Sequence, residues 1–242
     1  ILEQKTYKLK SLTSIELPVN SIPSLINCSF KFFYEHIIKI KSYDLSYESK
    51  NAILRGLIIH RVLEFFHKKY KTYDPDIKID LTNYLIQLSS KIFKAESGDL
   101  YQLNFEQTSF ESAIPKYIDH LIFRQQNGWL VQEIEEKKTK SIVLKNGMRV
   151  KISGKIDRLD INSKGEICLI DYKTSSSLIN NIEVKRIQLD SYRYIINDKP
   201  SIMEFWLFNK KGFEVKSINK FEDIQAFENK IISKLEKIFI EN

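Results

Sequence analysis

The chain has 242 residues, 43% of them hydrophobic, and a net charge of +7 with a pI of about 9.1. That length and apolar content suit one large packed domain or two small ones, and no run of about 18 apolar residues occurs, which excludes a membrane-spanning helix. Two cysteines without disulfide or metal spacing fit a reducing cytoplasm, no secretory pattern opens the chain, and the basic charge favours a polyanionic partner, chiefly nucleic acid.

Residues 1–20 read as a connector or N-terminal arm, and a start at Ile1 rather than Met fits a piece of a larger protein. Residues 21–40 predict a helix with Phe30, Phe33, Tyr34 and Ile37 on its apolar side. Residues 51–71 predict a second, with Leu54, Ile58, Val62, Phe65 and Phe66 at helical spacing. Asp74-Pro75-Asp76 breaks it. Helices follow over 80–97 and 107–127, parted at Gly98-Asp99, with Pro115 a candidate kink in the second. From Trp129 the character changes to strands: 130–136, 141–146, 149–161 and 166–173. Helix returns over 182–197 and stops before Pro200. A hairpin over 202–209 and 213–218 turns at Lys210-Lys211-Gly212, and a last helix spans 221–240. The expected organisation is a single domain over 21–242, helical over 21–128 and sheet-based over 129–242.

Chemistry concentrates in Ile156-Asp157-Arg158-Leu159-Asp160 and Ile170-Asp171-Tyr172-Lys173-Thr174. Asn162-Ser163-Lys164-Gly165 between them is a turn signal. An antiparallel hairpin centred on Lys164 puts Asp157 opposite Asp171, and a slip of one residue would spoil the pairing. Asp171 and Lys173, two apart, share a strand face. Two carboxylates and an ammonium then meet at one spot. Carboxylate oxygens suit a hard cation such as Mg²⁺ or Mn²⁺, and a lysine beside it suits a water and a phosphate, the needs of phosphodiester hydrolysis. Asp160 points to the other face together with Arg158, where the expectation is a surface ion pair worth little.

These residues resemble the PD-(D/E)XK nuclease superfamily, in its RecB/AddB-like branch of helicase-linked nuclease domains. Four segments carry the resemblance, in order: Gly56 to Glu64 with His60, Gly154 to Asp160, Asp171 to Ser175, and Gln188 to Tyr192. Ser21 to Phe33 adds a fainter likeness. The implied fold is α/β, a restriction-endonuclease-like mixed β-sheet core flanked by helices, with a helical N-terminal elaboration. The implied activity is metal-dependent, end-dependent cleavage of DNA by a deoxyribonuclease acting in DNA repair and recombination. The partners it implies are single-stranded DNA ends and a helicase domain or partner helicase-nuclease subunit. Many domains of this branch hold an iron–sulfur cluster on four cysteines. Here Cys28 and Cys168 stand alone, so no cluster is expected, and Cys28 reads as a small buried hydrophobe.

By the resemblance, His60 joins Asp157 and Asp171 as a metal ligand, and the Tyr172 carbonyl completes the set. By itself, His60 on an apolar helix would read as structural. Lys173 acts on the phosphate, and two nearby anions are expected to keep it protonated against the effect of burial. Gln188 and Tyr192, one helical turn apart, line the site. Lys185, Arg186 and Ser175 are candidates for contact with the nucleic acid. His60, Glu64 and His67 share a helical face, but hydrogen-bonded or solvated neighbours are expected there rather than zinc. One of Glu133 and Glu135 is able to approach the site. Helices over 80–127 are a candidate wall guiding single-stranded DNA. Other readings are a catalytically inactive nuclease-fold module for DNA binding or subunit docking, which would lack some of Asp157, Asp171 and Lys173, and a stand-alone endonuclease.

Overall fold

A computed structural model describes residues 12–40, 47–97, 101–174, 182–196, 200–209, 211–218 and 221–241, with side chains omitted at 47–50, 97, 101–103 and 182–185. The strands are β1 (Ser14–Pro18), β2 (Leu130–Val143), β3 (Arg149–Ile161), β4 (Ile167–Lys173), β5 (Ile202–Asn209) and β6 (Gly212–Ile218). The helices are α1 (Ile22–Asn27), α2 (Ser29–Phe32), α3 (Tyr47–Lys69), α4 (Lys78–Ser97), α5 (Tyr101–Gln126), α6 (Ile182–Ile195) and α7 (Ile224–Phe239). A mixed six-stranded sheet runs β1-β3-β4-β5-β6, with β2 also paired to β3. β1 is parallel to β3 and β4 to β5; the other ladders are antiparallel. This is the expected mixed sheet flanked by helices.

β3 organises the molecule. β2 follows it along most of its length. β1 pairs with Arg149–Ser153 and β4 with Arg158–Ile161, so both share the other edge of β3 in succession. Residues 154–157 fall between these two ladders. β1 lies inside the stretch expected as a connector or arm. Gly154 lets it pack there: a Cβ on Gly154 would stand 2.3 Å from Val19 Cγ1.

Helices cover both faces. α3, α4 and α5 share one core with Cys168, Ile170, Tyr172, Trp206, Phe208 and Phe213 of the sheet. On the other side, Leu25, Tyr194, Phe227, Ile231 and Leu235 pack with Val150 and Ile152. Leu189 of α6 covers Leu169, Met203, Phe205 and Leu207. α7 shows why such helices form: Asp223 caps its start by accepting from the Ala226 N–H at 2.9 Å, and Phe227, Ile231, Leu235 and Phe239 repeat every four residues on the buried side. Burial on both faces explains the unbroken apolar run of β4. Among the described residues no helix is long and apolar enough to cross a membrane.

Four expectations are corrected. The strands at 130–136 and 141–146 are one strand, β2, whose charged middle pairs Lys137 with Lys155 through Lys140 with Ile152. Lysines suit an edge strand, where their heads reach water. The helix over 21–40 is interrupted at Cys28, which is extended at φ −154° and ψ 95°, and beyond α2 the backbone continues as a π turn over Phe33–Ile37. The break rotates the buried face onto Ile22, Leu25 and Phe32 and leaves Phe30 71% exposed. Cys28 is exposed rather than buried, and its sulfur accepts from the Lys31 N–H. α5 begins at Tyr101, earlier than expected, and continues past Pro115.

Candidate active site

Two turns align the acidic residues. The β3–β4 turn closes with Asn162 N–H to Glu166 O at 3.0 Å, while Asn162 Oδ1 accepts from Lys164 and Glu166 N–H and Gly165 takes φ 77°. The resulting register pairs Arg158 with Ile170, the expected one. One step further, where the ladder opens, Asp157 Oδ2 accepts from the Tyr172 N–H at 2.8 Å. The β2–β3 turn closes with Leu144 N–H to Met148 O at 2.9 Å, with Gly147 at φ 81°. Its register pairs Ile134 with Arg158 and Glu136 with Ile156. Glu135 therefore stands beside Asp157.

α3 delivers His60 to this place. Its Nδ1 lies 3.3 Å from Asp157 Oδ1 and 3.5 Å from Glu135 Oε1. Its Nε2 lies 3.2 Å from the Tyr172 carbonyl oxygen. One residue, Tyr172, thus orients both Asp157 and His60 through its main-chain N–H and C=O. Burial opposes charge on His60, but Asp157 and Glu135 prevail and push its pKa up to about 10. Ligand atoms of His60, Glu135 and Asp157 all lie within 4.8 Å of one another. The Glu135 side chain is 6% exposed, its Oε1 has no hydrogen-bond partner beyond the His60 ring at 3.5 Å, and its backbone takes φ 53° on a strand. A buried carboxylate oxygen left open, two further hard or borderline donors and a positive φ at a non-glycine residue fit a divalent-cation site.

Asp171 and Lys173 form the adjoining half. Lys173 Nζ is 2.6 Å from Asp171 Oδ2. Burial raises the Asp171 pKa and the Asp157 carboxylate adds to it, against the pull of Lys173. Burial works to discharge Lys173, but the Asp171 and Asp157 carboxylates raise its pKa, so the ammonium is protonated. Gln188 hydrogen-bonds the Tyr192 phenol, whose pKa is raised by burial and by Asp171, Asp157 and Glu135. The helix therefore brings both residues to the acidic site.

Three further expected residues follow Lys173 in the chain. Arg186 is on α6, 4.0 Å from Asp190 through Nε. Lys185 is in the same helix with its side chain undescribed, and Ser175 lies outside the described residues. Glu64 pairs with Lys68 and Lys155. His67 is fully buried, 2.6 Å from the Tyr73 hydroxyl and 2.5 Å from that of Tyr117. Glu133 pairs with Lys138 at 2.6 Å. Glu135 is thus the glutamate that enters the site. Its signal was the Asn146-Gly147 pair: a hairpin centred on Asn146 puts Glu135 across from Asp157.

Arg158 and Asp160 are not a surface pair. Arg158 donates to Asp160 from Nε and Nη2 at 2.5 and 2.9 Å, Arg124 of α5 donates to Asp160 at 3.2 Å, and all three are buried. The expectation assumed an open sheet face, but α3 and α5 cover it.

A groove of about 680 Å³ opens from the His60–Glu135–Asp157 group along α3, lined also by Leu57, Arg61 and Lys155. The sequence model of the PD-(D/E)XK nuclease superfamily matches residues 16–242. An uncharacterized protein of Rickettsia bellii (strain RML369-C) is 27% identical over 161 residues, 66% of this chain and 19% of that protein. An ATP-dependent helicase/deoxyribonuclease subunit of Streptococcus agalactiae serotype Ia is 21% identical over 168 residues, 67% of this chain and 14% of that protein. The chain therefore spans about a fifth or less of the length of these relatives. Among solved structures, the crystal structure of SSO0001 aligns with all of this chain and 84% of its own at 16% identity and a TM-score of 0.40.

Proposed function

The chain belongs to the PD-(D/E)XK nuclease superfamily, and on that premise we propose that it is a metal-dependent DNA exonuclease domain of the RecB/AddB-like branch. The observation that carries this reading is the convergence of His60, Glu135 and Asp157 within 4.8 Å, next to the Asp171–Lys173 pair. His60, Glu135 and Asp157 would hold Mg²⁺ or Mn²⁺, with Asp171 and the Tyr172 carbonyl at the margin of the set. When bound, such an ion lowers the pKa of a water and offsets phosphate charge.

The protein's own groups do the rest. The Tyr172 carbonyl accepts from His60 Nε2, which leaves Nδ1 to act as the donor atom once its proton departs. The Tyr172 N–H holds Asp157 in place. Lys173, protonated beside Asp171, donates to phosphate oxygens and stabilises the charge that grows on them. Its raised pKa favours this electrostatic role over that of a base. Tyr192 and Gln188 close the site on the α6 side, and Lys185, Arg186 and Ser175 extend the contact with the strand.

The similarity to a helicase/deoxyribonuclease subunit supports a helicase domain or partner subunit and a role in DNA repair and recombination. The basic charge suits DNA, and two unpaired cysteines suit the cytoplasm. An inactive docking module would be expected to lose part of Asp157, Asp171 and Lys173, and all are present.

The test is cleavage of end-labelled single-stranded DNA with Mg²⁺ or Mn²⁺, comparing wild type with Asp171→Ala and Lys173→Ala. The reading requires metal-dependent degradation that both variants lose, and circular single strands that survive. Tight, metal-independent DNA binding without cleavage by the wild type would instead make the domain a docking module.

A further inference from the structure

We propose that Lys155 is a phosphate-contacting residue, whose ammonium binds a backbone phosphate of the strand in the α3 groove. This assignment rests on the nuclease reading above. Lys155 sits in the stretch of β3 between the β1 and β4 ladders, two residues before Asp157 and so on the same face of the strand. The counting that matches Asp157 with Asp171 also matches Lys155 with Lys173. Each aspartate thus has a lysine two positions away on its own strand.

Their settings differ. Lys173 is 14% exposed and committed to Asp171. Lys155 is 53% exposed and lines the groove. Its Nζ is 2.8 Å from Glu135 Oε2 and 3.5 Å from Glu64 Oε2. An ammonium has three donors, so two carboxylates leave one for an incoming oxygen. Glu64 already has Lys68 at 2.6 Å, so neutralising Glu64 does not require Lys155.

Charge balance points the same way. With Glu64 balanced by Lys68, the carboxylates of Glu135, Asp157 and Asp171 are cancelled at full ionisation by Lys173 and a divalent ion, with His60 neutral as a ligand. Lys155 then supplies the net positive charge that draws a polyanion to the site. Its two carboxylates hold the ammonium at the groove wall, which limits the side-chain entropy lost when a phosphate binds.

The experiment is binding of a short fluorescent single strand in Ca²⁺, by anisotropy, for wild type, Lys155→Gln and Lys155→Arg. Salt runs from about 50 to about 200 mM, a range over which phosphate contacts weaken strongly. Calcium binding to the DNA-free proteins and their thermal melting are measured in parallel. Lys155→Gln is expected to bind DNA several-fold more weakly, with the log–log salt slope reduced by about 0.7, the share of one phosphate contact on a single strand. Its calcium affinity should be unchanged or tighter, and Lys155→Arg should keep the wild-type slope. An unchanged slope in Lys155→Gln overturns the assignment, as does a DNA defect that follows from lost calcium binding. If Lys155→Gln does not fold, the arginine variant decides: a slope as low as that expected for Gln would sink the proposal. A wild type that fails to bind the strand at all overturns the nuclease reading and this assignment with it.

Discussion

Glu135 holds a backbone conformation that costs about 1–3 kcal/mol at a non-glycine residue. One of its carboxylate oxygens meets Lys155 and the other faces His60. The Glu135→Gln variant should therefore bind Mn²⁺ about tenfold more weakly or worse, as charge count sets affinity at hard-ion sites, while folding normally. Isothermal titration against the wild type measures this, and equal affinities would remove Glu135 from the ligand set. The same titration reads His60. Its pKa of about 10 means the metal-free imidazole is protonated at pH 7, and a ligand must be neutral. Metal binding should release about one proton between pH 7 and pH 9, and affinity should climb about tenfold per pH unit. Titration in buffers of different ionisation heat counts that proton, and His60→Asn should abolish its release. In chain order His60 is an unremarkable helical histidine; only contact with two carboxylates from other elements raises its pKa.

At the level of elements, the site exists because β3 changes partners midway. β1 ends at Pro18 opposite Ser153, and β4 takes over at Arg158. Gly154 marks the exchange, and its missing side chain lets Val19 and Ile195 close over the strand. Gly154→Ala would press its Cβ into Val19 and should destabilise the fold by about 1–3 kcal/mol, the usual cost of overpacking. Val19→Ala removes the nearest obstructing atom, Cγ1, and leaves Cβ at 2.8 Å, so it relieves part of the clash and the double variant should be more stable than the sum of the two single effects predicts. Urea melts of the four proteins test this, and strict additivity would show that the clash relaxes elsewhere. The hairpin of β3 and β4 was legible in advance because an Asn-to-Gly turn and two flanking strands are local. The strand β1 was not, because its partner lies more than 130 residues away, at Arg149–Ser153. The break at Cys28 was missed for a related reason: packing of Ile22, Leu25 and Phe32 overrides the regular helical spacing of the aromatics.

Across the whole molecule, a buried charge network joins the helical layer to the sheet. Arg124 of α5 donates to Asp160 of β3 and to Glu204 of β5, Trp206 Nε1 also donates to Glu204, and Arg158 meets both Asp160 and His67 of α3. Asp160→Asn would leave two buried guanidiniums short of an anion and should cost about 3–5 kcal/mol in urea denaturation. Because the network spans both layers, tryptophan fluorescence and far-UV circular dichroism should shift together, and a loss below about 1 kcal/mol, typical of exposed pairs, would contradict its buried role. By itself the sequence determined the meeting of Asp157, Asp171 and Lys173, since turn chemistry and strand alternation act over a few residues. The resemblance brought in His60 and a local hairpin signal pointed to Glu135, whereas tertiary structure alone decided that Arg158 and Asp160 are sealed beneath helices and that Lys155 faces a groove. Those outcomes depend on which elements cover which faces, and that is set by packing between segments far apart in the chain.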